Sequence, residues 1–285
     1  MEENKVKTAL VLEGGAMRGI YTAGVLDVLM DNKIKVDAII GVSAGALFGI
    51  NYISNQRGRA IRYNKNYIKN KEYMGLYSLL TTGNIMNKEF CFNRLIYELD
   101  KFDFETFKKS NTDFYVTVTN VDTGKAEYIK IKDIEKELEY LRASGSMPLV
   151  SEIVQINNKK YLDGGIADSI PVNKAIDLGF DRIIVVLTRP IEYRKKKISL
   201  LPYKLMYRKY PEFINTVGNR YINYNNTVEQ IIREEENKNI FVIRPSKNPN
   251  IKRLEKDIHK VEETYNLGVN DAKSKLEDLI NYINK

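Results

Sequence analysis

Apolar residues are concentrated in short, saturated runs: Thr8–Leu12 (T-A-L-V-L), Val36–Ile40, Ile183–Leu187 and Ile240–Ile243. Each is ended by glycine or polar residues, the pattern of strands buried on both faces. Between the first two runs, Ile20, Ala23, Val25, Leu26, Leu29 and Met30 recur at helical spacing until Asp31-Asn32. The second run drives into G-V-S-A-G (residues 41–45), and a small-residue helix pattern follows at once. Strand, glycine loop, helix, strand, sharp turn, helix is the order of a parallel sheet layered with helices.

The rest of the chain is more mixed. Arg57–Phe107 reads as mostly helical and rich in Tyr, Asn and Lys, with a loop at Gly83. Asp113–Val121 alternates β-branched and aromatic residues, turns at Asp122–Lys125 and returns through Ala126–Ile131, which predicts a hairpin. Lys132–Ser144 predicts a helix stopped by Gly145 and Pro148. Ile153–Leu162 predicts two short strands about Asn157-Asn158, and Pro171–Leu178 a short helix with proline at its start and Gly179 after its end. Ile251–Lys285 predicts two helices around Gly268. No repeat or linker interrupts the pattern, so residues 1–285 are expected to form one domain, with the strand and helices of residues 239–285 closing it.

Composition narrows the classes. A 43% hydrophobic and 29% charged chain of 285 residues has ample material for a core. No apolar stretch reaches the roughly 18 residues of a membrane span, and Met1–Thr8 runs into a strand without a signal-like apolar region, so a cytoplasmic protein is expected. One cysteine, Cys91, and one histidine, His259, allow neither an internal disulfide nor a Cys/His zinc site. The net charge of +8 suits an anionic surface or substrate, and no nucleic-acid-binding motif accompanies it. The basic, tyrosine-rich stretch Tyr193–Arg233 is either a solvated helix pair or an edge that meets a membrane–water boundary.

Candidate chemistry centres on Ser43. G-x-S-x-G at a strand-to-helix turn pushes a serine hydroxyl out of the backbone, and Gly41 and Gly45 leave room where that turn is crowded. The same pattern also serves as a plain strand–glycine–helix connection. The run Gly14-Gly15-Ala16 after the first strand can turn backbone N–H groups toward an oxyanion. Read as a dinucleotide fingerprint, it lacks the third glycine of G-x-G-x-x-G and an acid at the end of the second strand. A serine nucleophile also needs a base. Ser43, an acid, then His259 is the chain order of an α/β-hydrolase triad, but K-D-I-H-K is a charged amphipathic segment expected inside a helix. Without His259 the base is a carboxylate or a lysine.

L-E-G-G-A-M-R-G, then G-V-S-A-G, then D-G-G resembles the patatin-like phospholipases in motif, order and spacing, and A-S-G-S-M-P resembles the segment that family carries before its aspartate. The likeness runs over residues 8–188. It implies a three-layer α/β/α fold with a mostly parallel central sheet. It implies Ser43 as nucleophile and Asp163 as its base, a dyad without histidine, supported by Gly41, Gly45, Gly164 and Gly165. Gly14, Gly15, Ala16, Met17, Arg18 and Gly19 would form the oxyanion hole, with no metal or cofactor. Ala16 departs from the family's usual third glycine. The bland reading of Asp163 is an Asx turn capping the hairpin, and that of Arg18 a helix-surface residue; its functional option is to steady the loop or meet an anionic head group. The implied activity is hydrolysis of a lipid ester, phospholipid or lysophospholipid. A soluble carboxylesterase, an acyltransferase and an inactive lipid-binding protein are the alternatives.

Overall fold

The computed structural model describes residues 6–285. Among the described residues, eight strands form one sheet: β1 (Thr8–Leu12), β2 (Ala38–Val42), β3 (Asp113–Asn120), β4 (Ala126–Ile131), β5 (Val154–Ile156), β6 (Lys159–Asp163), β7 (Arg182–Val186) and β8 (Ile240–Ile243). Their order is β5-β6-β3-β2-β1-β7-β8, with β4 also paired to β3. The five strands from β3 to β8 run parallel; β4, β5 and β6 join through antiparallel pairs.

The helices are α1 (Ile20–Asp31), α2 (Ala44–Ile53), α3 (Arg59–Tyr67), α4 (Leu76–Thr82), α5 (Phe104–Lys109), α6 (Leu138–Gly145), α7 (Val172–Asp177), α8 (Leu201–Met206), α9 (Pro211–Glu236), α10 (Ile258–Ser274) and α11 (Leu276–Ile283). A π-helix spans Phe90–Leu99. Alternate residues of one strand go to opposite sheet faces, and here they enter two separate cores. Leu10, Leu12, Ile39, Ile184 and Val186 pack with α1, α2 and α10. Ala9, Val11, Ile40, Ile183 and Val185 pack with α7 and α9. The fold is a three-layer α/β/α arrangement around a mostly parallel sheet. Among the described residues, no helix is long and apolar enough to cross a membrane.

Three local expectations are corrected. The helix foreseen over Lys132–Ser144 begins only at Leu138, because the Glu137 carboxylate accepts the N–H groups of Lys132 (2.7 Å) and Asp133 (2.8 Å) and folds that segment into a turn. Gly268 does not divide the C-terminal helices; α10 runs through it and the break comes at Lys275. The glycine is there for contact: a Cβ on Gly268 would collide with the Tyr21 carbonyl, and one on Gly24 with the Tyr265 carbonyl, so α1 and α10 meet backbone to backbone. Finally, Tyr193–Arg233 is a helix pair, α8 and α9, only beyond its first residues, and α9 is not solvated on every face. Residues 193–200 form an irregular strap, and α9 buries Phe213, Val217, Tyr224, Val228 and Ile231.

Candidate active site

β2 ends at Val42, and Ser43 takes φ +51° and ψ −121° before α2 begins. A non-glycine residue at positive φ costs on the order of 1 kcal/mol, and such strain is held in place only by tight surroundings. They are tight here. A Cβ at Gly41 would lie 2.7 Å from the Ala46 Cα, and one at Gly45 would lie 2.5 Å from the Leu12 carbonyl oxygen. The Ser43 N–H donates to Ser144 Oγ at 2.8 Å, and that hydroxyl donates to the Thr117 carbonyl at 2.7 Å.

Sheet pairing brings the other parts to this turn. β1 lies parallel to β2, so the loop after Leu12 emerges beside Ser43; a Cβ at Gly14 would sit 3.2 Å from the Ser43 Cβ. β6 pairs antiparallel with β3, Val118 opposite Asp163, while β3 runs parallel to β2 with Thr117 opposite Val42. Asp163 therefore arrives at the C-terminal end of β2. Ser43 Oγ donates to Asp163 Oδ2 at 2.9 Å, and Asp163 Oδ1 accepts the Gly165 N–H at 2.7 Å. The carboxylate thus serves both as the Asx-type cap of the following 3-10 turn and as acceptor of the serine hydroxyl's hydrogen bond. The Asp163 N–H donates to the Ser146 carbonyl at 2.8 Å, so residues 144–146 grip both members of the pair through the backbone. Gly164 is required because a Cβ there would collide with the Thr117 carbonyl.

Ser43 and Asp163 are both buried. Burial pushes the Asp163 carboxyl above its ordinary range; Arg220, the Gly165 N–H, the Ser43 hydroxyl and Lys195 pull the other way. In the glycine loop the Gly14 N–H donates to the Ser169 carbonyl (3.3 Å) and the Arg18 N–H to the Gly15 carbonyl (3.1 Å). Among the described residues, the amides of Gly15 and Ala16 have no acceptor. Ala16 sits at φ +49°, the left-handed region that the usual glycine would enter freely. Met17 and Gly19 are buried behind the loop, Gly19 facing Ala44 and Phe48.

Arg18 does not lie on a helix surface. Its buried Nε has no hydrogen-bond partner, and its guanidinium is pulled down to about 10 by burial and then by Arg189 and Arg253. His259 is exposed and lies in the first turn of α10, where the Asp257 carboxylate caps its N–H, not in mid-helix. Cys91 is buried, a core thiol whose proton affinity burial raises.

Two cavities meet at Ser43. One is apolar, lined by residues such as Leu47, Phe48, Met74, Met86, Phe92 and Leu141. The other is more polar, lined by charged side chains, and reaches Asp163, Lys195 and Arg220. Ala16, Ser43, Met147, Arg253 and Leu254 line both.

The sequence reading missed the wall of the second cavity. Arg220 Nε donates to the Gly165 carbonyl at 2.5 Å, Lys195 Nζ to Ser169 Oγ at 2.8 Å, and Ser169 Oγ in turn to that same carbonyl at 2.7 Å. Tyr224 donates to Glu13 Oε1 at 2.9 Å, while Glu13 Oε2 accepts the Thr188 N–H at 2.6 Å, tying the glycine loop to β7 and α9. One signal was available: Arg220 falls in the apolar stripe Phe213, Val217, Tyr224, Val228 and Ile231, a cation at a core position.

The fold is a three-layer α/β/α arrangement with a buried serine–aspartate pair beside the C-terminal end of β2. The chain belongs to the patatin-like phospholipase family, whose model matches residues 10–176. A second model, a domain of unknown function (DUF6363), matches residues 210–284. The uncharacterized protein YjjU of Escherichia coli K12 is 28% identical, covering 92% of this chain and 75% of its own length. A probable lipid hydrolase, 463L, of Invertebrate iridescent virus 6 is 28% identical over 60% of this chain and 64% of its own. The lysophospholipase nte1 of Aspergillus niger is 26% identical over 95% of this chain, which spans only 18% of that protein.

Proposed function

We propose that this protein is a serine acyl hydrolase of lipid esters, of phospholipase or lysophospholipase type, working through a Ser43–Asp163 dyad. The observation that carries the reading is the Ser43–Asp163 hydrogen bond at the meeting point of an apolar and a charged cavity. An acylated polar molecule has its ester bond at the corresponding junction. The relatives described as a probable lipid hydrolase and a lysophospholipase support the same reading.

In this mechanism Asp163 Oδ2 takes the hydroxyl proton while Ser43 Oγ attacks the ester carbonyl carbon. The carbonyl oxygen becomes an oxyanion received by the free N–H groups of Gly15 and Ala16, each such donor contributing about 3 kcal/mol to the transition state. The alcohol leaves with the proton from Asp163. Water then gives a proton to Asp163 and attacks the acyl-serine carbonyl carbon; the bond to Ser43 Oγ breaks, Asp163 returns the proton to that oxygen, and the carboxylic acid is released. A carboxylate is a poor thermodynamic base for a serine proton; burial narrows the gap and the held geometry supplies the rest.

The lipid surface would be met by α8, where Leu201, Leu205 and Met206 are 64%, 71% and 59% exposed a few residues after the exposed Lys196 and Lys197. β8 and α9–α11 belong to the same working unit in this reading, since α9 brings Arg220 and Tyr224 to the site. A cytoplasmic setting is part of the proposal.

The test is a fluorophosphonate probe with an assay on phospholipid, lysophospholipid and short soluble esters. Stoichiometric labelling, lost in Ser43→Ala and kept in His259→Ala, is expected. No labelling of the wild-type chain would favour a lipid-binding protein; loss in His259→Ala would restore the triad. Faster turnover with an added alcohol than with water would make the protein an acyltransferase.

A further inference from the structure

The polar cavity carries more positive charge than anything in the hydrolytic mechanism uses. Arg18, Arg189, Lys195, Arg220 and Arg253 line it, against two carboxylates, Glu13 and Asp163. Both carboxylates are already engaged: Glu13 by the Thr188 N–H and hydroxyl and the Tyr224 hydroxyl, Asp163 by Ser43 and Gly165. Among the described residues, none of the five cations forms an ion pair. They rest instead on neutral groups: Lys195 on Ser169 Oγ and, at 3.6 Å, the Tyr224 ring; Arg189 on Asn248 and, at 4.2 Å, the Tyr193 ring; Arg220 on the Gly165 carbonyl. The buried Arg18 Nε has no hydrogen-bond partner.

Like charges held together destabilise one another unless an anion joins them, the more so where, as for Arg18, Lys195 and Arg220, they are partly withdrawn from water. The mutual strain is visible in their proton affinities. Lys195 is lowered well below its ordinary value by burial and then by Arg220, with Glu13 and Asp163 opposing; Arg220 is lowered by burial, Asp163 opposing and Arg253 adding to the shift. The five side chains come from four separate segments: the glycine loop, the strap after β7, α9 and the loop before α10. Donors converging from several directions suit a tetrahedral oxyanion with three free oxygens better than a planar carboxylate. The cavity also opens at Ser43 and Arg253 onto the apolar one, so a bound anion sits on the leaving-alcohol side of an ester whose chain lies in the apolar pocket.

We propose that this cavity binds a phosphate group, and that the preferred substrate is an acylated glycerol phosphate with a free, dianionic phosphomonoester rather than a choline-bearing phosphodiester. This rests on the hydrolase reading above. The surplus of positive charge attracts the dianion and repels the quaternary ammonium.

The experiment compares kcat/KM of the full chain on 1-acyl glycerol 3-phosphate, the matching lysophosphatidylcholine and the matching monoacylglycerol. A preference of about tenfold or more for the phosphomonoester is expected, the scale of one charge-assisted hydrogen bond. In Arg253→Gln and Arg189→Gln the ratio of phosphomonoester to neutral ester should fall toward one. In parallel, the Ser43→Ala protein is titrated calorimetrically with glycerol 3-phosphate, inorganic phosphate and glycerol, its melting temperature serving as a check on folding. Binding of glycerol 3-phosphate but not glycerol, weakened by Arg253→Gln, supports the proposal. Equal rates on the three lipids with no phosphate binding overturn it and leave the Ser43–Asp163 hydrolase intact. Binding of inorganic phosphate without any lipid preference also overturns it, making the cavity a site for free phosphate. Absence of all ester hydrolysis, with glycerol 3-phosphate still bound, keeps the phosphate site and removes the hydrolase reading.

Discussion

Ser43 Oγ and Asp163 Oδ2 stand 2.9 Å apart although 120 residues separate them in the chain. Neither is positioned by its side chain alone. Residues 144–146 take the Ser43 N–H and the Asp163 N–H, Thr119 donates to the Asp163 carbonyl at 2.8 Å, and Gly165 holds the second carboxylate oxygen. The pair is therefore a property of two backbones fixed at the end of the sheet.

Because the backbone holds the geometry, Asp163→Asn should keep the fold while removing the base. We expect kcat/KM to fall about a hundredfold or more. Burial raises the native carboxyl above its unfolded value, so the native state keeps a proton that the unfolded chain loses. The contribution of this group to stability accordingly declines as pH rises from the ordinary carboxylate value, about 4, through the raised one. At neutral pH the Asn variant should melt no lower than wild type, and the acid limb of the wild-type rate profile should lie above about pH 4. A variant with full activity, or an acid limb at or below that value, would remove Asp163 from the base role.

Met86 lines the apolar cavity and is half-buried. Met86→Trp fills space that a long acyl chain would occupy, and each excluded methylene loses about 0.8 kcal/mol of burial. Hydrolysis of long-chain esters should drop by about tenfold for every two methylenes displaced, with short-chain esters little changed. A parallel loss on both substrate classes would mean that the chain lies elsewhere.

Gly268→Ala tests the contact of α1 with α10. The added methyl would collide with the Tyr21 carbonyl, and neither helix backbone can yield without disturbing the packed core behind it. Destabilisation of about 1–3 kcal/mol, the usual range for overpacking, should appear in urea unfolding, with activity per folded molecule retained. An unchanged midpoint would show that the helices separate at little cost.

What the sequence by itself determined was local. The buried strands, the turn at Ser43, the glycine loop and the aspartate before Gly164 each need a specific backbone conformation or a saturated apolar run, and such requirements leave their mark within five to eight residues. The resemblance their order carries implied that Ser43 and Asp163 share one site, and in the structure the two side chains are hydrogen-bonded. Tertiary structure alone decided what surrounds them. Whether a cation is solvated or buried depends on what packs over it, and Arg220 meets Gly165 from 55 residues away. Its place in the apolar stripe of α9 marked it as unusual but named no partner. The same holds for Lys195 and Arg253, which look like surface charge in the chain and line the cavity in the fold. Gly268 reverses the lesson: read locally it breaks a helix, yet the neighbouring backbone makes it the point where two helices touch. Local backbone demands are written in the residues that bear them, while burial of charge and close approach are written in residues far away.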